Sequence, residues 1–331
     1  MTDKLTIKEI AKRAGVGTTT VSRVLNNHPY VSEEKRQKVL AAIEETGYRP
    51  NYNARWLRGG SSGLIGFLTD EVATTPFAVD VIRGAQEAAF EQDCVLLVMN
   101  TGPNLQSARA AVEFLLERQV FGIIYAAMFH RVVQLPENIH QVPVAMANCY
   151  IADRSLPSAV PDEFIGGYRA TRTLLAAGHR RIAFLNVTPP AVDAADGRLA
   201  GYKHALAEFD VPYDDALIKA ASESARLNYE TTSQLLDLPN PPTGFFAGND
   251  RTAMSCYSAI RERGLRIPED VGVVGFDNQQ SIAENLIPPL TTLQLPHYEM
   301  GRWAFDKVIS DEWDVPEQQV IDCPLILRDS V

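Results

Sequence analysis

Residues 6–26 read TIKEIAKRAGVGTTTVSRVLN, and this stretch predicts two short helices joined by a tight turn. The first helix begins at Thr6, because Thr6 and Glu9 have the spacing of a capping box. A step of about 100° per residue places one set of apolar side chains on a single stripe. These are Ile7, Ile10, Ala11 and Ala14. Gly15-Val16-Gly17 then ends the helix.

The second predicted helix runs from Thr18 to Asn26, with Val21, Val24 and Leu25 on its buried face. The opposite face carries hydroxyls, an amide and a guanidinium but no acid. Its members are Thr18, Thr19, Ser22, Arg23 and Asn26. Such groups donate to phosphates and base edges, so the face predicts DNA binding. An ordinary polar solvent face is the alternative.

Two following segments strengthen the DNA-binding interpretation. Residues 32–46 form a third amphipathic pattern, with Val39, Ala42 and Ile43 inward. Residues 48–58, YRPNYNARWLR, permit a short helix after Pro50. That helix is too short to be stable alone in water, and a flexible glycine-serine stretch at 59–63 follows it. We therefore expect it to fold only against DNA and a second copy of the chain.

Residues 5–58 resemble the LacI/GalR family of bacterial transcription repressors. The resemblance is carried by IKEIAKRAGV, TTTVSRVLN, VSEEKRQKVLAAIEETGY and the PN…AR…LR hinge. It implies base contacts from Thr18, Thr19 and Arg23, and backbone contacts from Ser22 and Asn26. Leu57 would be the leucine that wedges into the minor groove, with Arg58 beside it. Two departures are Gly17, where the family usually has Ser, and Trp56, which is bulkier than the usual residue before the hinge leucine.

The charge distribution also separates a DNA-binding head from the rest of the chain. The 331 residues carry a net charge of −10. Residues 1–60 alone carry about +5 and the remainder about −15, counted from the sequence. The four dispersed cysteines indicate neither a disulfide framework nor a zinc site. With no apolar run of about 20 residues and no signal-peptide pattern, we expect a cytoplasmic protein with no membrane contact.

From Leu64 onward, apolar strands alternate with helices in two successive runs. This pattern predicts an α/β body of two lobes with parallel sheets, joined to an all-α helix-turn-helix head and hinge helix. The predicted domains are 1–48 for the head, 49–61 for the hinge helix and linker, and 62–331 for effector binding and dimerisation. Lobe one takes about 62–160 and 291–319, and lobe two takes about 161–290 and 320–331. A last strand near Val320 to Leu327 is expected in lobe two.

Polar residues close most of the predicted strands. They are Thr69-Asp70, Asn100-Thr101, Asn148, Asn186, Asn249-Asp250 and Asp277-Asn278. Ligands of open parallel sheets bind beyond the carboxyl ends of the strands, so this pattern predicts a polar cleft. Asn and Asp also favour turns and helix caps, which is the alternative for any single residue. The side chains suit the hydroxyls of a sugar, polyol or nucleoside.

The resemblance to the family continues through AAGHRRIAFL, DGRLAGY, AGNDRTA, LRIPEDVGVVGFDN and PPLTTLQ. It implies the fold of the type I periplasmic sugar-binding proteins. It also implies effector contacts from Phe77, as a stacking platform, and from Asn148, Arg198, Asn249 and Asp277. Asp250 is expected to cap the following helix, and His179 to be structural. Glu223 or a neighbour stands where several members carry an aromatic residue.

The sequence therefore predicts an effector-controlled regulator, a homodimeric repressor of a palindromic operator in double-stranded DNA, without a cofactor or a metal. A solute-binding protein of a sugar transporter is the alternative, which the basic head argues against. An enzyme is disfavoured because the chain shows no Ser-His-Asp order, no Cys-His pair and no defensible metal-ligand spacing.

The predicted wedge generates the first test. Leu57→Ala should weaken specific operator binding by about tenfold or more, because the truncated side chain no longer unstacks the central base step. Effector affinity should change little. Fluorescence anisotropy with a specific duplex and calorimetry with the effector measure the two effects. Equal operator affinity of variant and wild type would count against the wedge.

Overall fold

The computed structural model describes residues 7–25, 31–46, 63–72, 79–102, 104–188, 192–310 and 312–331. The chain divides into two compact units, Met1–Ser62 and Gly63–Val331, called here the head and the body. The predicted cap at Thr6, the hinge helix, and Asn26, Trp56, Leu57, Arg58 and Phe77 lie outside the described residues. For Ile7, Ser22 and Leu25 the description is limited to the backbone.

Three helices form the described part of the head: α1 (Ile7–Arg13), α2 (Thr18–Leu25) and α3 (Glu33–Thr46). Their apolar stripes meet in one small core. Its buried members are Ile10, Ala11, Ala14, Val21, Val24, Val39 and Ala42. Gly15 makes the turn after α1 with a φ of 63°, a left-handed conformation that glycine adopts without strain. The periodicity of the sequence thus predicted the described part of the head core correctly, and the inward positions of Ile7 and Leu25 stay predictions.

The body contains two sheets, each with six strands among the described residues. The first sheet has the order β2-β1-β3-β4-β5-β11. Its strands are β1 (Leu64–Thr69), β2 (Val95–Asn100), β3 (Gly122–Val132), β4 (Val144–Tyr150), β5 (Ser158–Pro161) and β11 (Gln318–Ile321). All of its pairings are parallel.

The second sheet has the order β7-β6-β8-β9-β10-β12. Its strands are β6 (Ile182–Asn186), β7 (Ile218–Ala220), β8 (Gly244–Ala247), β9 (Gly272–Asp277), β10 (Thr291–Gln294) and β12 (Leu325–Ile326). Every pairing in it is parallel except that of β10 with β12. The predicted two-lobed α/β body with parallel sheets is confirmed.

Helices cover the sheets, as buried parallel strands require. In the first lobe they are α4 (Val79–Glu91), α5 (Leu105–Glu117) and α11 (His297–Ile309). In the second lobe they are α6 (Glu163–Ala176), α7 (Val192–Glu208), α8 (Ala225–Leu236), α9 (Asp250–Glu262) and the short α10 (Gln280–Ala283). Short 3-10 turns occupy Glu137–Gln141 and Asp215–Leu217. In the part of the chain that is described, no helix has the length and apolarity to cross a bilayer.

The chain passes between the lobes three times, and two expected lobe boundaries were wrong. Thr291–Gln294, expected in lobe one, pairs with β9 in the second sheet. The single strand expected near 320–327 is two strands, because β11 pairs with β5 in the first sheet before β12 returns to the second. The crossings are therefore Asp162 between β5 and α6, residues 295–296, and residues 322–324.

Asp250 was expected to cap a helix, and this prediction was wrong. Asn249 is the N-cap of α9, and its side chain accepts from the Thr252 amide at 2.8 Å. Asp250 is fully buried, where its Oδ1 accepts from Thr292 Oγ1 at 2.6 Å and its Oδ2 from the Gln279 amide at 2.7 Å. It therefore ties α9 to β10 and to the segment after β9.

The burial of Asp250 generates a pH prediction. Desolvation raises the pKa of this carboxyl from 3.8 to about 7. Since the folded-state pKa lies above the unfolded one, the folded chain binds the extra proton. The resulting stability is present below about pH 4 and is lost as the pH rises towards about 7.

Asp250→Asn should remove much of this pH dependence, since an amide imitates the protonated carboxyl and can donate to Thr292. Urea unfolding of the body between pH 4 and pH 7 measures the effect. The free energy of unfolding should fall more steeply with pH in the wild type than in the variant. Parallel curves for the two proteins would refute the assignment.

Candidate DNA-reading face and effector cleft

Helix α2 presents the predicted DNA-reading side chains on its exposed face. Thr18, Thr19 and Arg23 are exposed, while Val21 and Val24 on the other side are buried in the head core. The backbone carbonyl of Gly17 accepts from the Thr20 amide at 2.9 Å, so the helix starts here without the hydroxyl of a serine cap. Ser22, Asn26, Leu57 and Arg58 remain predictions.

A narrow cavity lies between the two lobes of the body, with about 330 Å³ of empty space including its open mouth. Four of the five effector residues expected from the family resemblance line it: Asn148, Arg198, Asn249 and Asp277. Its other lining residues are Met128, Phe129, His130, Glu163, Val187, Ala194 and Leu295. The fifth expected residue, Phe77, lies outside the described residues.

Arg198 on α7 is buried and strongly held. Its Nε donates to Glu163 Oε2 at 2.7 Å, and each of the two side chains is 4% exposed. One terminal nitrogen donates to the Gly248 carbonyl, and the guanidinium stacks on the Phe276 ring with its carbon 3.6 Å from the ring centre. Burial alone would lower the pKa of Arg198, but the charge and hydrogen bond of Glu163, together with the nearby Asp277, outweigh burial and raise it. Arg198 is therefore a fixed cation with one buried counter-ion.

Glu163, which the sequence did not single out, is the first residue of α6, directly after a crossing between lobes. Burial is the largest single influence and would raise the pKa of its carboxyl, but the charge and hydrogen bond of Arg198 together with His130 outweigh burial and hold that pKa below its usual value. Its second oxygen lies 3.6 Å from His130 Nδ1, on the opposite lobe. The only sequence signal was the acidic pair Asp162-Glu163 after SAVP, and the four-residue strand β5 was itself not predicted.

Asn148, near the carboxyl end of β4, supplies an acceptor. Its Nδ2 donates to the carbonyls of Ala127 and Met128 at 3.1 and 3.0 Å, which fixes the orientation of the amide. Its Oδ1 is buried and has no hydrogen-bond partner among the described residues. Buried polar atoms are rarely left unsatisfied, so this oxygen is suited to accept from a ligand donor. The residue has a φ of 58°, a left-handed conformation that Asn tolerates.

Asp277 closes β9 with a φ of 107°, which a residue with a side chain rarely adopts. Backbone strain of this kind concentrates at functional sites. Its Oδ2 accepts from Gln279 Nε2 at 3.1 Å. Burial, together with the nearby Asp250 carboxyl, raises the pKa of Asp277 well above its usual value. The carboxyl is thus desolvated and placed to bond a ligand donor.

Other strand-closing residues do not line the cavity. Asp70 Oδ2 accepts from Arg131 at 2.8 Å, and Oδ1 accepts from the Met128 amide at 3.0 Å. The Asn186 amide donates to the Ala195 carbonyl at 2.9 Å, and Thr101 bonds to the Thr69 carbonyl at 3.1 Å. They position the cavity walls and the turns beside them.

Two further residues that the sequence singled out also lie away from the cleft. The Glu223 side chain is 79% exposed and pairs with Arg251 at 3.2 Å, so it does not line the cavity. His179 Nδ1 lies 3.0 Å from Thr243 Oγ1, and burial lowers its pKa, which fits the structural role expected for it. Among the described residues, no cluster of His, Cys, Asp and Glu could hold a metal ion.

Comparisons with known proteins agree with both units. Residues 6–51 match "Bacterial regulatory proteins, lacI family", and residues 62–329 match "Periplasmic binding proteins and sugar binding domain of LacI family". The sucrose operon repressor of Escherichia coli is 33% identical, over 97% of this chain and 98% of its own length.

Two solved structures extend over nearly the whole chain. The lac repressor dimer bound to operator and the anti-inducer ONPF is 27% identical, with a TM-score of 0.77 over 99% of each chain. The transcriptional regulator CelR in complex with cellobiose is 28% identical, with a TM-score of 0.69 over 99% of this chain and 100% of its own. From its head, its two-lobed body and these matches, the chain belongs to the LacI family of bacterial regulatory proteins.

Proposed function

We propose that this chain is an effector-controlled transcriptional repressor that binds an operator through its head and senses a small polar ligand in its cleft. The observation that carries the proposal is the convergence of Asn148, Arg198, Asn249 and Asp277 on one cavity in a body fused to a helix-turn-helix head. Relatives named as repressors support regulation rather than enzymatic activity. The basic head disfavours a transporter's solute-binding protein.

DNA recognition is assigned to α2 and the hinge. Thr18, Thr19 and Arg23 contact base edges in the major groove, since they form the exposed polar face of α2. Ser22 and Asn26 contact the phosphate backbone, and Leu57 and Arg58 enter the minor groove. The lac repressor structure, a dimer on operator, supports the same arrangement for this chain.

Homodimerisation is supported by exposed apolar side chains on both lobes. The edge strand β2 exposes Val95 and Val98, and Phe90 at the end of α4 is 67% exposed. On the second lobe, Leu227 and Met254 are exposed on the adjacent helices α8 and α9. A second copy related by a two-fold axis would cover such patches, and it would match the symmetry of a palindromic operator.

The effector is a sugar, a polyol or a nucleoside. Asn148 Oδ1 and the Asp277 carboxyl accept from ligand hydroxyls, while Arg198 and Asn249 donate to ligand oxygens. Phe77 is proposed as the stacking platform from the family resemblance. We place the protein in the cytoplasm, where the operator and the metabolite meet.

Strand β1 offers a physical connection between the linker and the cleft. It begins at Leu64, directly after the linker, and ends at Thr69 beside Asp70. The Asp70 carboxylate holds both Arg131 and the Met128 amide, in the part of β3 that forms the cavity wall. A ligand that brings the lobes together would therefore act on β3, which Asp70 connects to β1 and so to the linker. The ligand's difference in affinity between two arrangements of the lobes would set the operator affinity.

Replacement of the buried acid tests the effector site. Asp277→Ala should reduce effector affinity by about tenfold or more, because a hydrogen bond between the ligand and a buried carboxyl is removed. Operator affinity without effector should persist. Calorimetry with a sugar identified by thermal-shift screening, and anisotropy with a duplex selected by the wild-type chain, measure the two quantities.

Glu223→Ala is the control, since it removes an exposed acid from the same lobe. Unchanged effector affinity of Asp277→Ala would remove Asp277 from the site. Loss of operator binding along with effector binding would instead indicate that the body no longer folds.

A further inference from the structure

The charge of Arg198 in the cleft is neutralised by Glu163, and this bears on which ligands can bind there. Glu163 and Arg198 are in direct contact and equally buried, so their charges cancel within the cavity wall. The guanidinium has its Nε on Glu163, another nitrogen on the Gly248 carbonyl and one face on Phe276. Arg198 can still donate a hydrogen bond to a ligand, but its positive charge is already compensated.

Besides the Arg198–Glu163 pair, the cavity wall offers hydrogen-bond acceptors and no further lysine or arginine among the described residues. Asp277 presents a buried carboxyl, and Asn148 presents a buried oxygen that has no partner in the part of the chain that the structure describes. Among the described residues that line the cavity, Arg198 is the only lysine or arginine. The neighbouring Arg131 is neutralised by Asp70, and burial lowers the pKa of His297 to about 4, so it is uncharged at neutral pH.

We infer that Glu163 is a specificity-determining residue that makes the cleft select an uncharged polyhydroxy ligand and reject phosphorylated or carboxylated sugars. The inference rests on the proposed function and deepens it. A ligand anion would need to replace Glu163 as the partner of Arg198 while it lies close to two buried carboxyls. An uncharged hydroxyl can accept from Arg198 and donate to Asp277 or Asn148 without disturbing the ion pair.

A purely structural role for Glu163 predicts something different. If Glu163 only stabilised the first crossing between the lobes, its removal would affect folding and the binding of all ligands alike. As a charge filter, it would affect anionic ligands in the opposite direction to neutral ones. A gain of anion binding on removal of its charge therefore separates the two roles.

The test compares the full-length wild type with Glu163→Gln, which keeps an acceptor for Arg198 but removes the charge. The probes are D-glucose, D-galactose and D-mannose, the uronate and the 6-phosphate of each, and inorganic phosphate. Thermal shift and calorimetry provide the readouts. Glu223→Gln is the matched control, because it neutralises an exposed acid that also pairs with an arginine. Glu163→Gln combined with Asp277→Asn leaves Arg198 without either neighbouring acid.

The wild type should bind no anionic probe more tightly than its neutral counterpart. Glu163→Gln should bind at least one anionic probe about tenfold more tightly than the wild type does, and the double variant more tightly still. Glu223→Gln should behave as the wild type. Addition of Arg198→Gln should abolish the gain.

Two results would overturn the inference. One is a wild type that binds a uronate or a sugar phosphate more tightly than the neutral sugar; the other is a folded Glu163→Gln variant whose affinity for every anionic probe equals that of the wild type. If Glu163→Gln does not fold, the inference is decided by the wild type alone, from its affinities for the neutral and the anionic probes. Failure of the inference leaves the proposed function intact wherever a neutral probe still shifts the operator affinity of the wild type. If no small molecule shifts operator affinity, the proposed function fails as well.

Discussion

The buried ion pair between Arg198 and Glu163 is the contact on which the cleft depends. It joins α7 to the first residue of α6, directly after the chain leaves the first sheet. Isolated buried charges are costly, and loss of one partner from such a pair costs about 3–5 kcal/mol. The Phe276 ring and the Gly248 carbonyl complete the surroundings of Arg198. The pair thus fixes the part of the cavity wall that lies next to the crossing at Asp162.

The topology explains why a ligand site forms at this point. Residues at or near the carboxyl ends of strands in both sheets line the cavity, and three crossings connect the lobes. Crossings of this kind are where hinge motion occurs in two-lobed folds. Positive φ angles occur at Asn148, near the end of β4, and at Asp277, the last residue of β9. Both residues line the cavity, and the unusual backbone at Asp277 is of the kind that concentrates at functional sites. Rigid strands therefore position the polar groups, and the crossings supply the hinge.

Much of this arrangement was predictable from the sequence, and the failures have physical causes. Periodicity predicted the head core, and strand-closing polar residues together with the family resemblance predicted Asn148, Arg198, Asn249 and Asp277. Glu163 was missed because its site depends on β5, a four-residue strand whose identity comes from pairing with β4 and β11. Asp250 was wrongly expected to cap the helix because Asn249 and Asp250 both suit caps, and the full burial of Asp250 decides between them. Short strands and buried polar networks are set by tertiary contacts that local pattern does not contain.

The account requires that cleft and head be energetically coupled, and reciprocal titration measures this most directly. A duplex selected by the full-length chain is titrated with and without a saturating neutral sugar, and the sugar is titrated with and without the duplex. The account predicts that each ligand changes the affinity for the other by the same factor, about 5- to 150-fold. Operator affinity that is identical in the presence and absence of every bound sugar would contradict it.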